Sequence, residues 1–310
     1  MKFGVFLPIS GRAASGVLME AARSAEALGY ASVWAADRIV TPWRIDTPYP
    51  YSADQRFIVP PDLPFLEPLT CLGYLAGGTE RIALGMSVLV MPYRHPLHWA
   101  KIATTIDHLS RGRLILGVGV GWMGEEFDAL GANFKERGAV ADEQLEILDR
   151  LWSGDRPSFE GQYYRFREVG FSPKPLQKPR IPIWVGGEGT RAQRRAARYG
   201  DAWFPYFVRI TPRELAARFD NVRRGAREAG RDPEAIRLAC CLPIELTPAP
   251  VTQEDDRLMG SPEQLTVALR AFGKIGVEHM ALQFMVPRWP ERREQIERFA
   301  REVMPALQSR

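Results

Sequence analysis

Two stretches of the chain put residues capable of chemistry beside glycines that would let a ligand reach bare backbone. The first is Arg111-Gly-Arg-Leu-Ile-Leu-Gly-Val-Gly-Val-Gly-Trp122, an apolar run ending in alternating glycines and followed closely by Glu125 and Glu126. It contains a literal GxGxxG, Gly119-Val-Gly-Trp-Met-Gly124. A dinucleotide fingerprint needs a second strand ending in an acid about 20 residues later. Residues 135–152 are instead strongly helical, with Leu145, Leu148 and Leu151-Trp152 on one face, so that reading fails. The glycines suit close approach of a flat ring or of a bulky side chain. The second stretch, Ile183-Trp-Val-Gly-Gly-Glu-Gly-Thr-Arg191, reads as a strand ending in glycines just before a helix. Free amides of a first helical turn attract anions, so Gly186, Gly187, Gly189, Thr190 and Arg191 form a candidate phosphate site. Arg194, Arg195 and Arg198 continue at helical spacing and read as a solvated outer face.

Other polar residues have plainer readings beside the chemical one. Val33-Trp-Ala-Ala-Asp-Arg38 ends on Asp37 and Arg38, where a barrel does its chemistry, yet an Asp-Arg pair is also an ordinary salt bridge. His95 and His98 have a spacing that could bind metal, but nothing at other strand ends completes a site, and no metal is expected. His95, before Pro96, reads as a helix start, and His279 opens a strand at the wrong end for catalysis. Of Glu125 and Glu126, one can anchor a ligand while the other complements a helix dipole.

These residues need a scaffold, and the chain supplies one. Eight apolar runs, each followed by an amphipathic helical pattern, begin near Lys2, Ala31, Arg81, Arg113, Ile181, Asp201, Ile236 and Val277. Eight consecutive βα units predict an α/β fold, a (β/α)8 TIM barrel, with its active site where the strands end. Thr211-Pro-Arg-Glu214 carries the signature of a helix capping box. The reading is a single domain over 1–310 with insertions near 41–66 and 157–179. The first insertion follows the second strand and interleaves six prolines with Trp43, Tyr49, Tyr51, Phe57 and Phe65. Stiff and aromatic, it suits a substrate lid formed by Trp43, Tyr49 and Tyr51, or a face packed on a neighbouring subunit. The second holds Phe159-Glu-Gly-Gln-Tyr-Tyr-Arg-Phe166 and reads as a hairpin.

Composition narrows the function classes. The 310 residues are 45% hydrophobic and 25% charged, as in a globular protein. With 41 basic and 37 acidic residues, the net charge of +4 gives no case for nucleic acid. Apolar runs such as 82–91 fall well short of the roughly 20 residues a membrane helix needs. The three cysteines, Cys71, Cys240 and Cys241, suit neither a disulfide framework nor a metal site. They read as reduced packing residues of a cytoplasmic protein.

Residues 81–138 hold Val90-Met-Pro-Tyr-Arg-His-Pro96, Leu109-Ser-Arg-Gly-Arg113, Gly117-Val-Gly-Val-Gly-Trp122 and Glu125-Glu-Phe-Asp-Ala-Leu-Gly131. With Pro182-Ile-Trp-Val-Gly-Gly187 and Gly200-Asp-Ala-Trp203, they resemble the luciferase-like monooxygenase superfamily over nearly the whole chain. Within it the chain is similar to the branch that uses the deazaflavin coenzyme F420. The resemblance implies a ring in the barrel mouth, backed by a bulge in the third strand with a cis peptide at Ser87-Val88. It implies a ring edge lined by Val120, Gly121 and Trp122, a cofactor phosphate at Gly186–Arg191, and contact from Asp37. Some sugar-phosphate dehydrogenases of the family place a catalytic histidine where Arg38 stands and a glutamate where Trp122 stands. Neither role transfers, and arginine is no base near neutral pH. The general expectation is hydride transfer between the deazaflavin C5 and a small organic substrate, with Tyr49, Tyr51, Tyr93 and Glu125 as candidate proton sources. Asp37, Glu125 and Tyr93 stand as the catalytic candidates. The alternatives are a monooxygenase using reduced FMN, a non-catalytic flavin- or deazaflavin-binding protein, and a metallohydrolase barrel. The polar residues that FMN-using relatives tend to place on the Gly117–Trp122 run are missing here. The resemblance further implies a homodimer supplied by an F420 or flavin reductase.

Overall fold

The computed structural model describes residues 1–11, 14–206, 211–252, 257–286 and 288–308. In chain order, β1 (Lys2–Phe6), α1 (Ala14–Ala27), β2 (Ser32–Ala35), α2 (Pro68–Ala76), β3 (Ala83–Met86) and the short β4 (Leu89–Val90) come first. There follow α3 (Pro96–Leu109), β5 (Leu114–Gly119), α4 (Gly124–Ala129), α5 (Arg137–Ser153), β6 (Phe159–Glu160), β7 (Arg165–Phe166), β8 (Ile183–Gly186) and α6 (Thr190–Tyr199). The last part holds β9 (Ala202–Phe204), α7 (Pro212–Glu228), β10 (Arg237–Leu246), β11 (Leu258–Gly260), α8 (Pro262–Lys274), β12 (Val277–Phe284), α9 (Trp289–Glu302) and α10 (Met304–Gln308). Strands β1, β2, β3, β5, β8, β9, β10 and β12 pair in parallel in that order, and β12 returns to β1, with Lys2 opposite His279. This is the closed (β/α)8 barrel that the eight repeated units predict. The 157–179 insertion carries the predicted hairpin, with Phe159 opposite Phe166. Thr211 and Glu214 complete the predicted capping box.

Strand alternation sends one set of side chains toward the helices and the other toward the axis. Cys240 and Cys241, adjacent in β10, accordingly enter different clusters, and all three cysteines are buried and free. Trp34, Trp184 and Phe204 fill the axis, with ring centroids 4.8–5.3 Å apart. So much indole volume requires a neighbour without a side chain. A Cβ added to Gly85 would lie 2.3 Å from the Trp34 ring. Polar atoms in this plug form a chain: Trp34 Nε1 donates to Ser32 Oγ at 2.7 Å, and Ser32 Oγ lies 2.7 Å from His279 Nε2. His279 lies near the strand-start end, on the wall of a cavity of about 420 Å³ that also exposes Trp184.

Burial, reinforced by the charge of Lys2, pushes His279 down to about 3. The folded state therefore keeps this ring neutral at a pH where the unfolded chain, with an ordinary value near 6.5, protonates it. Stability contributed by the neutral ring is complete above pH 6.5 and drains as pH falls toward 3, by about 1.4 kcal/mol per unit. His279→Gln lacks this loss. Urea unfolding at pH 7 and pH 4.5 should show the parent losing about 2–3 kcal/mol more than the variant across that interval; equal losses would contradict the assignment.

Candidate active site

The mouth of the barrel is built around a bulge between β3 and β4. The Ser87-Val88 peptide is cis, as the resemblance implies. The Val88 side chain then lies over two neighbouring strands that offer bare backbone. A Cβ on Gly119 of β5 would come within 2.5 Å of Val88 Cγ2, and one on Gly186 of β8 within 2.8 Å of Val88 Cγ1. These glycines thus serve the second of the two uses read from the sequence, accommodating a bulky side chain. Gly121 likewise makes room for Val90 and Phe127, and Val120 packs half-buried against the core.

Two ion pairs brace the ends of β2 and β3. The side chain of Asp37, wholly buried, accepts both guanidinium nitrogens of Arg94, at 2.7 and 2.8 Å, and the Val90 amide at 2.8 Å. Arg94 also reaches Glu67 at 3.2 Å, and Glu67 caps α2 through the Thr70 amide. Glu126, also wholly buried, pairs with Arg38 and accepts Tyr93 Oη at 2.9 Å, the Ile39 amide at 2.8 Å and the Val40 amide at 3.2 Å. Its neighbour Glu125 takes the next part of the insertion, accepting the Asp46 and Thr47 amides at 2.8 Å each. Burial pushes the Glu125 carboxyl up, but its own amide, the Thr47 hydroxyl and the two loop amides outweigh it and hold the group below its ordinary value. Both glutamates of α4 therefore bind the backbone entering the 41–66 insertion.

That insertion lays its aromatics over the mouth. Tyr49 contacts Tyr51, Phe57 and Trp122 with centroids 4.9–5.5 Å apart, and Tyr51 contacts Tyr206 beyond β9 at 4.9 Å. The Arg38 guanidinium lies 5.0 Å from the Phe57 ring centroid and 5.6 Å from that of Trp122. Trp43, grouped with Tyr49 and Tyr51 from the sequence, does not join them: it is 84% exposed. Burial pushes the Tyr49 hydroxyl up to about 12 and that of Tyr51 well above its ordinary value. Tyr93 is raised too, by burial and then by Glu126.

At the opposite rim, Gly187 has φ +99°, and Gly189 opens α6 without a capping side chain, leaving first-turn amides to other acceptors. Arg191 is exposed beside them. Arg137, at the start of α5, holds the Gly121 carbonyl at 3.2 Å and the Phe134 carbonyl at 2.7 Å, and its guanidinium sits 3.8 Å from the Phe134 ring centroid. Burial lowers the Arg137 value, and the nearby charge of Arg191 lowers it further. Among the described residues, neither arginine forms an ion pair. Sequence reasoning had no signal for Arg137, because its proximity to Arg191 arises only when α5 and α6 pack together. It also misplaced Arg195, which is not on a solvated face. That residue is buried and pairs with Asp142 at 2.6 Å, because α5 covers it.

A second residue that sequence reasoning passed over is Glu188, within the glycine turn after β8. Its Oε1 accepts the Tyr206 amide at 2.7 Å. Tyr206 in turn bridges to Cys241 of β10 and donates its hydroxyl to Gln283 of β12 at 2.7 Å. Burial pushes Glu188 up to about 7, against the Tyr206 amide, its own amide and the charge of Arg218. A glutamate interrupting a glycine run at a strand end was the available signal. His95 stands at the start of α3 as expected, with no capping hydrogen bond from its ring, and no cluster of metal-ligating residues occurs among the described residues.

The family model described as luciferase-like monooxygenase matches residues 1–250. An uncharacterised protein of Mycobacterium tuberculosis is 36% identical over 210 residues, 68% of this chain and 71% of that protein. A phthiodiolone/phenolphthiodiolone dimycocerosates ketoreductase of Mycobacterium bovis is 32% identical over 273 residues, 83% of this chain and 68% of that one. Among solved structures, an F420-dependent secondary alcohol dehydrogenase in complex with an F420-acetone adduct superposes with TM-score 0.81. It covers 99% of both chains at 19% identity and shows the shared fold. With a barrel of this topology, a bulge backed by glycines at its mouth, and a family model spanning most of its length, the chain belongs to the luciferase-like monooxygenase family.

Proposed function

We propose that the chain is an F420-dependent oxidoreductase that interconverts a carbonyl compound and the corresponding secondary alcohol in the barrel mouth. The observation that carries the cofactor reading is the pair of guanidinium groups, Arg137 and Arg191, beside the uncapped first turn of α6. Two cations that have no carboxylate partner among the described residues, next to the first-turn amides, fit the phosphate of such a cofactor. The Val88 bulge fits as a backing for its ring, with Val120, Gly121 and Trp122 along one edge and Gly186, Gly187, Gly189 and Thr190 near the phosphate. When bound, the deazaflavin supplies or accepts a hydride at C5. The carbonyl reading draws on the ketoreductase relative, which aligns over 83% of this chain. The preference for F420 over FMN draws on the absence of polar side chains from the Gly117–Trp122 run.

The chain's own residues bind, orient and exclude water. Asp37, with both oxygens engaged by Arg94 and the Val90 amide, positions the bulge from beneath. Tyr93 and Glu126 position Arg38. Glu125 fastens the insertion whose Tyr49 and Tyr51 close over the substrate. These are positioning roles for Asp37, Glu125 and Tyr93, each of which the sequence offered as a catalytic candidate. The enzyme is proposed to act in the cytoplasm as a homodimer, on a small molecule, with a separate reductase renewing its cofactor.

The reading is tested by offering the purified protein reduced F420 and a panel of ketones without oxygen. Oxidation of the cofactor that depends on both ketone and enzyme is the expected result. Turnover only with reduced FMN and oxygen would replace it with monooxygenation.

A further inference from the structure

Hydride transfer to a carbonyl also needs a proton, and the donor must lie in the mouth, hold a proton near neutral pH and release it readily there. The four sources suggested by the sequence are poorly suited. Tyr49, Tyr51 and Tyr93 all hold their protons more tightly than an ordinary tyrosine. Glu125 is held in its ionised form by the amides it binds.

Glu188 has the missing qualities. It stands just past β8, on the rim shared with the phosphate turn, and its carboxyl is anchored by the Tyr206 amide at 2.7 Å. The groups facing it come from three directions: Tyr51 from the insertion, Tyr206 from beyond β9, and Cys241 from β10. Tyr51 and Cys241 are themselves pushed upward, chiefly by burial, so both are neutral near pH 7. The charged group acting on Glu188 is Arg218 of α7, and its pull is smaller than the effect of burial. Among the described residues, no side chain donates a hydrogen bond to the carboxyl.

We infer that Glu188 is the catalytic acid-base residue, giving its proton to the carbonyl oxygen during reduction and recovering it during alcohol oxidation. The inference rests on the oxidoreductase reading above. In the reducing direction a hydride from the reduced deazaflavin, the two-electron donor, forms the new C–H bond at the carbonyl carbon. The π pair of the C=O bond moves to oxygen, where the new O–H bond forms as the O–H bond of Glu188 breaks. The ketone is reduced and the cofactor oxidised; the ring proton that the cofactor gives up with its hydride goes to solvent, and solvent returns one proton to the carboxylate. A carboxyl poised at about 7 is protonated often enough to donate and acidic enough to do so readily.

The first test needs no cofactor. In protein carrying 13C-labelled glutamate carboxyls, one resonance should titrate near pH 7 and be missing from Glu188→Gln. Absence of such a resonance, or titration of Glu188 in the ordinary carboxylate range, would overturn the inference even if the cofactor reading stands. The second test is kinetic. Glu188→Gln should lower kcat roughly 100- to 10,000-fold, remove the limb of the pH profile near 7, and leave the cofactor Kd within about twofold. A variant that keeps kcat within threefold and the parent's pH profile would also overturn it. Failure of the oxidoreductase reading looks different, because no F420 then binds while the carboxyl still titrates near 7.

Discussion

Replacing Arg38 with methionine is expected to cost about 3–5 kcal/mol of stability, the ordinary result of removing one partner from a buried ion pair. Arg38 is 9% exposed and Glu126 not at all. The variant leaves the Glu126 carboxylate buried with three neutral donors: the Tyr93 hydroxyl and the Ile39 and Val40 amides. It also removes the cation lying against Phe57 and Trp122, an interaction of about 0.5–2 kcal/mol. For a chain of this length the loss corresponds to a drop in Tm of roughly 5–8 °C. Methionine keeps much of the arginine stem's volume, so packing changes little. The double variant Arg38→Met, Glu126→Gln should recover most of the loss, since removing both charges is close to neutral. Differential scanning calorimetry of the two variants and the parent checks this. A single variant within 1 °C of the parent would show that the pair does not brace the mouth.

The second large effect is expected at Arg191. Its side chain is exposed and makes no ion pair among the described residues, so Arg191→Ala should leave Tm and the circular dichroism spectrum unchanged. Its proposed work is to bind the cofactor phosphate, and a charge-assisted hydrogen bond contributes about 1.5–3 kcal/mol. The variant's Kd for the cofactor should therefore rise roughly 10- to 150-fold. The dependence of binding on salt should also weaken, because one cation no longer faces the phosphate. Arg137→Ala should lose as much affinity but also some stability, since that guanidinium holds the Gly121 and Phe134 carbonyls. Fluorescence titration at two ionic strengths separates the two. Unchanged affinity in Arg191→Ala would mean that the phosphate lies elsewhere. Substitution of Gly187 is a poorer probe, because at φ +99° any side chain strains the turn itself.

The barrel was legible because its signals are local. The strand expected near Ile181 begins at Ile183, that near Arg81 at Ala83, and those at Lys2 and Val277 where expected. Each is an apolar run cut off by glycine, proline or a capping residue, and closing eight of them needs no side-chain detail. The hairpin at 157–179 announced itself through a glycine turn between alternating aromatics. The partners of the charged residues were not legible. Asp37 meets Arg94 across 57 positions, and Arg38 meets Glu126 across 88. The sequence gives no reason to choose these matches among its 41 basic and 37 acidic residues. Whether Asp37 and Arg38 pair with each other or with distant residues is decided by which helices pack beside β2. Glu188 was hidden for another reason. The acid's character comes from burial beneath segments distant in sequence, which a glycine-rich turn does not announce.

The most direct test of the central claim is a parallel titration of the cofactor-free protein with oxidised F420 and with FMN, following the fluorescence of each. The account predicts saturable, micromolar or tighter binding of F420, at least tenfold tighter than FMN and weakened by Arg191→Ala. Preferential binding of FMN would contradict it, and would recast the aromatic mouth as a chamber for oxygen chemistry.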